Sequence, residues 1–411
     1  MTKRLWGDFM KLSSVNEKYD EMLGVLARAI GVPEQKIKAA VIRSYNLNNK
    51  ANHRLVHEVL RKAAGGEAVT LAGLGGSITQ GVAAKSYANG RGNNAREFTE
   101  ELGGEKCWFE RTVDWFRESF PAAQITGINA GIGATPSFLG TFRLDRMVLD
   151  HKPDLVFVEF SVNDPSTFPN LLENEIYEAY ESVVRRCLEA GVAVIQVFLN
   201  DRDNNGLQRI HSEIAQYYRV PTISYHNAVY PDDKLICDWS KLSPDEIHPN
   251  NVGHALLGTC VCNYLNQVSL DDSEDAFTLP ENWLYADTFH RVKAIYADQF
   301  RESAEGDIRF CTDTPDCSRW FGTLVSSGKG SVRVEIPKGA KRIWVQYHHN
   351  NGSFETELNG QQTVCNTSPI GWPRVMWHRV HTGEALTQDT VLSVRSHRSG
   401  EVVILGVLIA F

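Results

Sequence analysis

From residue 67 to 270, short apolar runs alternate with amphipathic segments, and this alternation constrains the fold more than any other feature of the 411-residue chain. The runs are 68–73, 125–130, 155–160, 192–199 and 220–224. Helical spacing of apolar residues falls near 106–120, 136–150, 173–190 and 206–218, and again at 251–267. A strand buried on both faces reads as a continuous apolar run, and regular alternation with helices implies parallel strands joined by right-handed crossovers. The pattern predicts a doubly wound α/β domain. In such sheets ligands bind beyond the carboxyl ends of the strands, so chemistry is sought in the residues that end each run.

Both flanks read differently. Residues 1–66 form a helical extension: Met22, Val25, Leu26, Ala29 and Ile30 recur at helical spacing, Pro33 interrupts, and further periodic stretches cover about 36–45 and 52–64. The acidic, turn-prone stretch 271–275 closes the α/β region. From 285 to 411 the text changes to short alternating or aromatic-rich runs (331–336, 342–347, 353–358, 390–394 and 402–409) broken by glycine-bearing turns, which predicts a C-terminal β-sandwich.

Charge and composition exclude several classes. With 42 Lys and Arg against 50 Asp and Glu, the net charge is −8, and no basic field exists to gather phosphate contacts; nucleic acid is excluded as a partner. The longest apolar runs fall short of the roughly 18 residues needed to span a bilayer, so no membrane partner is expected. The first residues lack the apolar stretch of an export signal, from which we expect a cytoplasmic protein. Eight cysteines in such a chain read as reduced thiols, and Cys311 with Cys317 would bridge only in an oxidising compartment. Cys260 and Cys262 stand one residue too close for the usual metal pair and sit in a helical pattern. His348-His349 reads as a solvated turn at a strand end, and His211, His226 and His254 as structural residues. We therefore assign no metal site and no cofactor. Oligomeric state is left open, a homo-oligomer being one outcome.

Three strand ends and one loop near the end of the block carry polar or glycine-rich sequence. The first run leads into Gly75-Gly-Ser77-Ile-Thr-Gln-Gly81, where small residues let a hydroxyl project above a sheet, although a plain turn has the same look. The second ends in Asn129-Ala-Gly-Ile-Gly-Ala-Thr135, a glycine turn that either closes strand to helix or aims N–H groups at an anion. The third ends in Glu159-Phe-Ser-Val-Asn163-Asp164-Pro165, which is also common turn chemistry. Near the end of the block comes Ser243-Pro-Asp245-Glu-Ile-His248-Pro-Asn250. A carboxylate three residues before a histidine can hold imidazole Nδ1 and leave Nε2 as a base, while the alternative is a helix-capping turn with Asn250 or Asn251 as cap.

Taken together these blocks supply a serine, two sources of N–H donors, an asparagine and an Asp/His pair at one predicted edge. In this order the chain resembles the SGNH (GDSL-type) hydrolase family. The resemblance implies a three-layer α/β/α, flavodoxin-like domain over 67–270, with Ser77 as nucleophile, His248 as general base and Asp245 as the residue that orients it. It also implies an oxyanion hole of the Ser77 N–H, a second-block N–H from Gly131 or Gly133 with Ala134 as a further option, and the Asn163 amide. Two departures stand out: the usual Gly-Asp-Ser is Gly-Gly-Ser here, and the second block is one residue short.

Substrate is a separate question, since one fold hosts lipases, thioesterases and carbohydrate esterases. The polar insertion 85–105, with Tyr87, reads equally as an ordinary surface loop or as a partner for sugar hydroxyls, and the tryptophans of the C-terminal region (Trp320, Trp344, Trp372 and Trp377) read mostly as core, with the alternative that at least one stacks a ring face on a sugar. Tyr87, Asn163 and Trp372 are the candidate substrate contacts. The architecture resembles bacterial O-acetylesterases acting on plant-polysaccharide fragments, which implies an acetylated oligosaccharide as partner. The alternatives are a short-chain lipid esterase, thioesterase or acyltransferase of the same fold, and a non-catalytic carbohydrate-binding protein.

Overall fold

The computed structural model describes residues 12–47, 53–84, 97–165, 171–269, 276–314, 317–349, 352–367, 375–396 and 400–411. The chain divides into two compact units. The first comprises Met1–Gly140, Leu144–Thr167 and Val183–Leu284, the second Thr141–Arg143, Phe168–Ser182 and Tyr285–Phe411.

The first unit opens with three helices, α1 (Leu12–Ile30), α2 (Glu34–Arg43) and α3 (Arg54–Ala64). Gly31, at φ +79°, ends α1 in the left-handed conformation that glycine adopts without a Cβ penalty. Helix α3 buries Val56, Val59, Leu60 and Ala63, the i, i+3, i+4, i+7 stripe of an amphipathic helix. These helices are built into the α/β unit: the Tyr19 hydroxyl donates to the Thr259 carbonyl at 2.9 Å, and Ser224 N–H donates to the Ser44 carbonyl at 2.6 Å.

Five parallel strands follow, β1 (Val69–Gly75), β2 (Ile125–Gly131), β3 (Leu155–Glu159), β4 (Ala193–Phe198) and β5 (Thr222–Ser224), in the order β2-β1-β3-β4-β5. Between and after them run α4 (Ser77–Gln80), α5 (Trp108–Ser119), α6 (Ser137–Met147), α7 (Glu173–Glu189), α8 (Gln208–Tyr218) and α9 (Asn251–Ser269). Residues 141–143 of α6 and the part of α7 up to Ser182 count with the second unit. All five residues of β3 and all six of β4 are buried, which is why these strands are apolar without alternation. The predicted runs and helices all appear, with ends shifted by a few residues. From β1 the chain passes to β2 on one side and then to β3 on the other, so the strand order reverses at β1, and Gly75 is in register with both Gly131 and Glu159. That reversal opens a crevice at the carboxyl ends of β1 and β3.

The second unit is β-rich and antiparallel, with nine strands among the described residues: β6 (Val292–Tyr296), β7 (Glu305–Cys311), β8 (Thr323–Ile336), β9 (Arg342–His348), β10 (Ser353–Leu358), β11 (Gln361–Asn366), β12 (Val375–Thr382), β13 (Thr390–Ser396) and β14 (Val402–Ala410). Strand β8 pairs with β14 through Leu324–Ser326, with β13 through Ser331–Ile336 and with β7 between Thr323 and Ser331, so one long strand serves three neighbours along its length. Tyr347 of β9 packs edge-on against Phe354 of β10 at 5.3 Å, although three strands separate β9 from β10 in the hydrogen-bonded order. The sheet therefore folds over on itself. Val332, Val334 and Ile336 point inward from β8 and alternate with Arg333 and Glu335, whereas β9 and β14 are buried nearly throughout. Phe142 and Phe289 pack on Trp344 at 5.9 and 6.2 Å and help cover the remaining face.

The structure answers several sequence expectations, bearing out the core reading of most C-terminal tryptophans and overturning the solvated turn at His348-His349. Trp320, Trp344 and Trp377 are core residues, at most 5% exposed, so they present no ring face to a ligand. His348 and His349 are buried, because β9 continues through His348 and its end is packed rather than solvated. Tyr87, Trp372 and the acidic stretch 271–275 lie outside the described residues. All eight cysteines are free thiols, and Cys260 and Cys262 are buried on α9.

Candidate active site

Strand β1 ends in two glycines and delivers Ser77 as the first residue of α4. Each glycine leaves room for one polar side chain from the end of β3. A Cβ on Gly76 would lie 2.0 Å from Asn163 Oδ1, and one on Gly75 would lie 2.8 Å from Glu159 Oε2 and 2.4 Å from Thr79 Oγ1. Any larger residue at either position would displace these groups. The helix is a single turn, closed by Gly81 at φ +97°, with Gly81 N–H and Val82 N–H both donating to the Ser77 carbonyl at 3.0 Å.

His248 reaches this serine across 171 residues of sequence: Nε2 is 2.9 Å from Ser77 Oγ, and Nδ1 is 2.9 Å from Asp245 Oδ2. Asp245 Oδ1 accepts from the N–H groups of Ile247 (2.8 Å) and His248 (2.7 Å), so one carboxylate fixes both the loop and the ring. Partial burial works against ionisation of Asp245, but the hydrogen bonds from the His248 ring and from these two N–H groups outweigh it and bring the pKa from 3.8 down to about 2. An ionised Asp245 only accepts. The His248 proton therefore sits on Nδ1, and Nε2 is left as acceptor for the serine hydroxyl. The loop is braced from behind: Trp239 Nε1–H donates to the Asp245 carbonyl at 2.6 Å, and Ser243 Oγ lies 2.6 Å from the His248 carbonyl. Asn250 Oδ1 accepts from Val252 and Gly253 N–H, so the capping turn and the Asp/His pair coexist in one loop.

A pH consequence follows from the depressed Asp245 value. The carboxylate is fully ionised above the unfolded value near 3.8 and protonates only as pH falls through about 2. We expect an Asp245→Asn variant to lose most activity at every pH, and any acid limb that the intact protein shows above about pH 4 to arise elsewhere than at Asp245. A kcat/KM profile of the two proteins between pH 4 and 9 checks this. An acid limb that vanishes in Asp245→Asn while activity at neutral pH persists would contradict it.

Around Ser77 the predicted anion-binding donors separate. Gly131 N–H donates to Asn129 Oδ1 at 3.0 Å, and a Cβ there would lie 2.3 Å from Gln80 N, so this glycine is packed behind α4. Gly133 lies beside Ser77, with a Cβ position 3.6 Å from Ser77 Cβ, and its N–H donates to Gln80 Oε1 at 2.7 Å. Ala134 follows at φ +55°. Ser77 N–H, at the first position of a helix, has no acceptor within it. Asn163 lays Oδ1 against Gly76, buried and without a hydrogen-bond partner among the described residues, which leaves Nδ2 as the donating end of the amide.

Two residues of this site were missed at the level of sequence. Gln80 holds the Gly133 amide, and nothing in the pattern distinguishes it from an ordinary helix residue. Glu159 is completely buried at the end of β3; Oε2 accepts from Thr79 Oγ–H (2.8 Å) and Gly76 N–H (3.2 Å). Burial pushes its pKa from 4.5 up to about 8 against the pull of these hydrogen bonds. A lone acid inside an apolar strand is the signal that was available.

The other histidines brace the fold. His254, pushed down to about 3 by burial, is neutral and lies between Trp108 N–H and the Val82 carbonyl, each at 3.3 Å. His211 meets Asp164 at 3.1 Å in full burial, and Asp164 also accepts from Ser137 N–H at the start of α6. Among the described residues no group of three or more His, Cys, Asp or Glu side chains is placed to hold a metal ion, and no helix is long and apolar enough to cross a membrane.

Residues 74–256 match the model of the GDSL-like Lipase/Acylhydrolase family. No curated protein sequence matches the chain. Among solved structures, a two-domain esterase active on acetylated mannans is similar over 90% of this chain and 98% of its own, with 24% identity and a TM-score of 0.70. A second structure of such an esterase, co-crystallised with mannopentaose, gives 24% identity over 90% and 97%, with a TM-score of 0.68. At this identity the likeness speaks for the fold, which extends over both units.

Proposed function

We propose that the protein is a serine esterase that removes O-acetyl groups from oligosaccharides of plant-polysaccharide origin, a reading supported by the match of residues 74–256 to the GDSL-like Lipase/Acylhydrolase family model. The observation that carries the chemistry is the continuous Ser77–His248–Asp245 hydrogen-bond chain, 2.9 Å at each link. Ser77 Oγ attacks the acetyl carbonyl carbon as its proton passes to His248 Nε2, and Asp245 stabilises the imidazolium. Negative charge gathers on the carbonyl oxygen, where Ser77 N–H and Asn163 Nδ2 donate. His248 then protonates the departing sugar oxygen, leaving an acetyl-serine. Water, deprotonated by the same Nε2, attacks the acetyl carbon; Ser77 recovers its proton and acetate leaves.

The carbohydrate part of the reading is supported by the solved two-domain esterases, which act on acetylated mannans and share the two-unit architecture. It is tested by acetate release from a panel of acetylated oligosaccharides, run beside p-nitrophenyl acetate and p-nitrophenyl octanoate. We expect acetate from one sugar class and a steep fall from acetate to octanoate. Preference for octanoate would move the assignment to lipid or thioester substrates.

A further inference from the structure

We propose that Glu159 is a positioning residue for the nucleophile: from beneath the turn, its carboxyl holds Gly76 and Thr79, and through them keeps the Ser77 hydroxyl within reach of His248. The inference rests on the reading of Ser77 as nucleophile. Gly76 immediately precedes Ser77, and Thr79 is two residues beyond it. Both donate to the same oxygen of Glu159, at 3.2 and 2.8 Å, so one atom ties together the two sides of the single helical turn that carries the serine.

The arrangement is specific to this pair of blocks. Only a glycine at 75 lets the carboxyl approach, because a Cβ there would lie 2.8 Å from Oε2 and 2.7 Å from the Glu159 carbonyl. The other carboxyl oxygen, Oε1, is buried with no hydrogen-bond partner among the described residues, an arrangement a purely structural site would ordinarily avoid. Burial raises the affinity of the group for a proton, so at neutral pH Glu159 carries one, and glutamine is its closest substitute in shape and charge. Removing the side chain leaves a buried N–H and a buried hydroxyl without their acceptor and frees the turn to shift. A displacement of about 1 Å in a reacting group costs on the order of 10²-fold in rate.

The test uses the full chain with Glu159→Gln, Glu159→Leu and Thr79→Val, each assayed for kcat and KM on p-nitrophenyl acetate, for the rate of Ser77 labelling by a fluorophosphonate, and for Tm. Glu159→Leu is expected to lower kcat and the labelling rate by about 10²-fold with KM changed less than about 2-fold. Glu159→Gln should restore both rates to within about 5-fold of the parent, and Thr79→Val, which removes one of the two tethers, should lower both by about 10-fold. Should Glu159→Leu fail to fold, Thr79→Val with Glu159→Gln decides. The proposal is overturned if folded Glu159→Leu keeps the parental kcat, if KM alone rises, or if Thr79→Val leaves both rates unchanged. Activity persisting in Ser77→Ala would instead bring down the nucleophile reading itself, which separates the two failures.

Discussion

Ser77→Ala is expected to lower kcat on acetyl esters by about 10⁴–10⁶-fold and to leave KM nearly unchanged, because it removes the covalent route and spares the binding surface. The variant should fold as the parent does, since among the described residues Ser77 Oγ bonds only the His248 ring and the turn is held by backbone bonds from Gly81 and Val82. What activity remains would come from the anion-binding donors and His248 acting directly on water, a contribution that survives loss of the nucleophile. The measurement is kcat with burst kinetics on p-nitrophenyl acetate, plus mass spectrometry for an acetylated intermediate. An intact burst or an acetylated Ser77→Ala protein would place the nucleophile elsewhere.

The second large effect is on stability. In the second unit Glu175 is nearly fully buried, and its carboxylate takes Arg342 Nη1 at 3.0 Å and Arg379 Nη2 at 2.7 Å, while Leu172 N–H donates to it at 3.0 Å. Both guanidiniums also lie over aromatic rings, Arg342 over Phe289 at 6.0 Å and Arg379 over Trp344 at 5.3 Å. Glu175→Ala strands two positive charges beside a cavity, and breaking a buried pair typically costs about 3–5 kcal/mol. The arginine side chains are 27% and 23% exposed and draw on water, which puts the expected loss near the lower end, about 3 kcal/mol. We expect a clear drop in Tm of the transition followed by tryptophan fluorescence, with kcat of the folded variant preserved at 25 °C. Equal Tm values for the two proteins would show that the pair contributes nothing net.

The parallel sheet was legible because its strands are buried on both faces, so the core requirement is written directly into apolar runs such as 155–160. The strands of the second unit were legible where one face is solvated: 331–336, 353–358 and 390–394 alternate cleanly. Strands β6, β7, β11 and β12 were not, because they mix exposed and buried positions without a strict period, as in β7, where four of seven positions are exposed and none is fully buried. The tryptophans were ambiguous for a related reason. An aromatic residue has the same text whether it fills a core or faces a ligand, and neighbouring strands decide which.

For the site, the four blocks and their order along the chain carried the resemblance that implied roles for Ser77, Asn163, Asp245 and His248, because each block holds its polar group at a strand end or loop. Proximity came from the fold: the strand order brings β3 against β1, and the braced loop before α9 carries His248 to 2.9 Å from Ser77. The roles of Glu159 and Gln80 also belong to the fold, since each acts through a hydrogen bond to a backbone amide, Gly76 or Gly133, and such a bond leaves no trace in residue type. Side-chain chemistry is local and survives in the one-dimensional text, whereas backbone donors and buried partners acquire meaning only when distant segments are packed together.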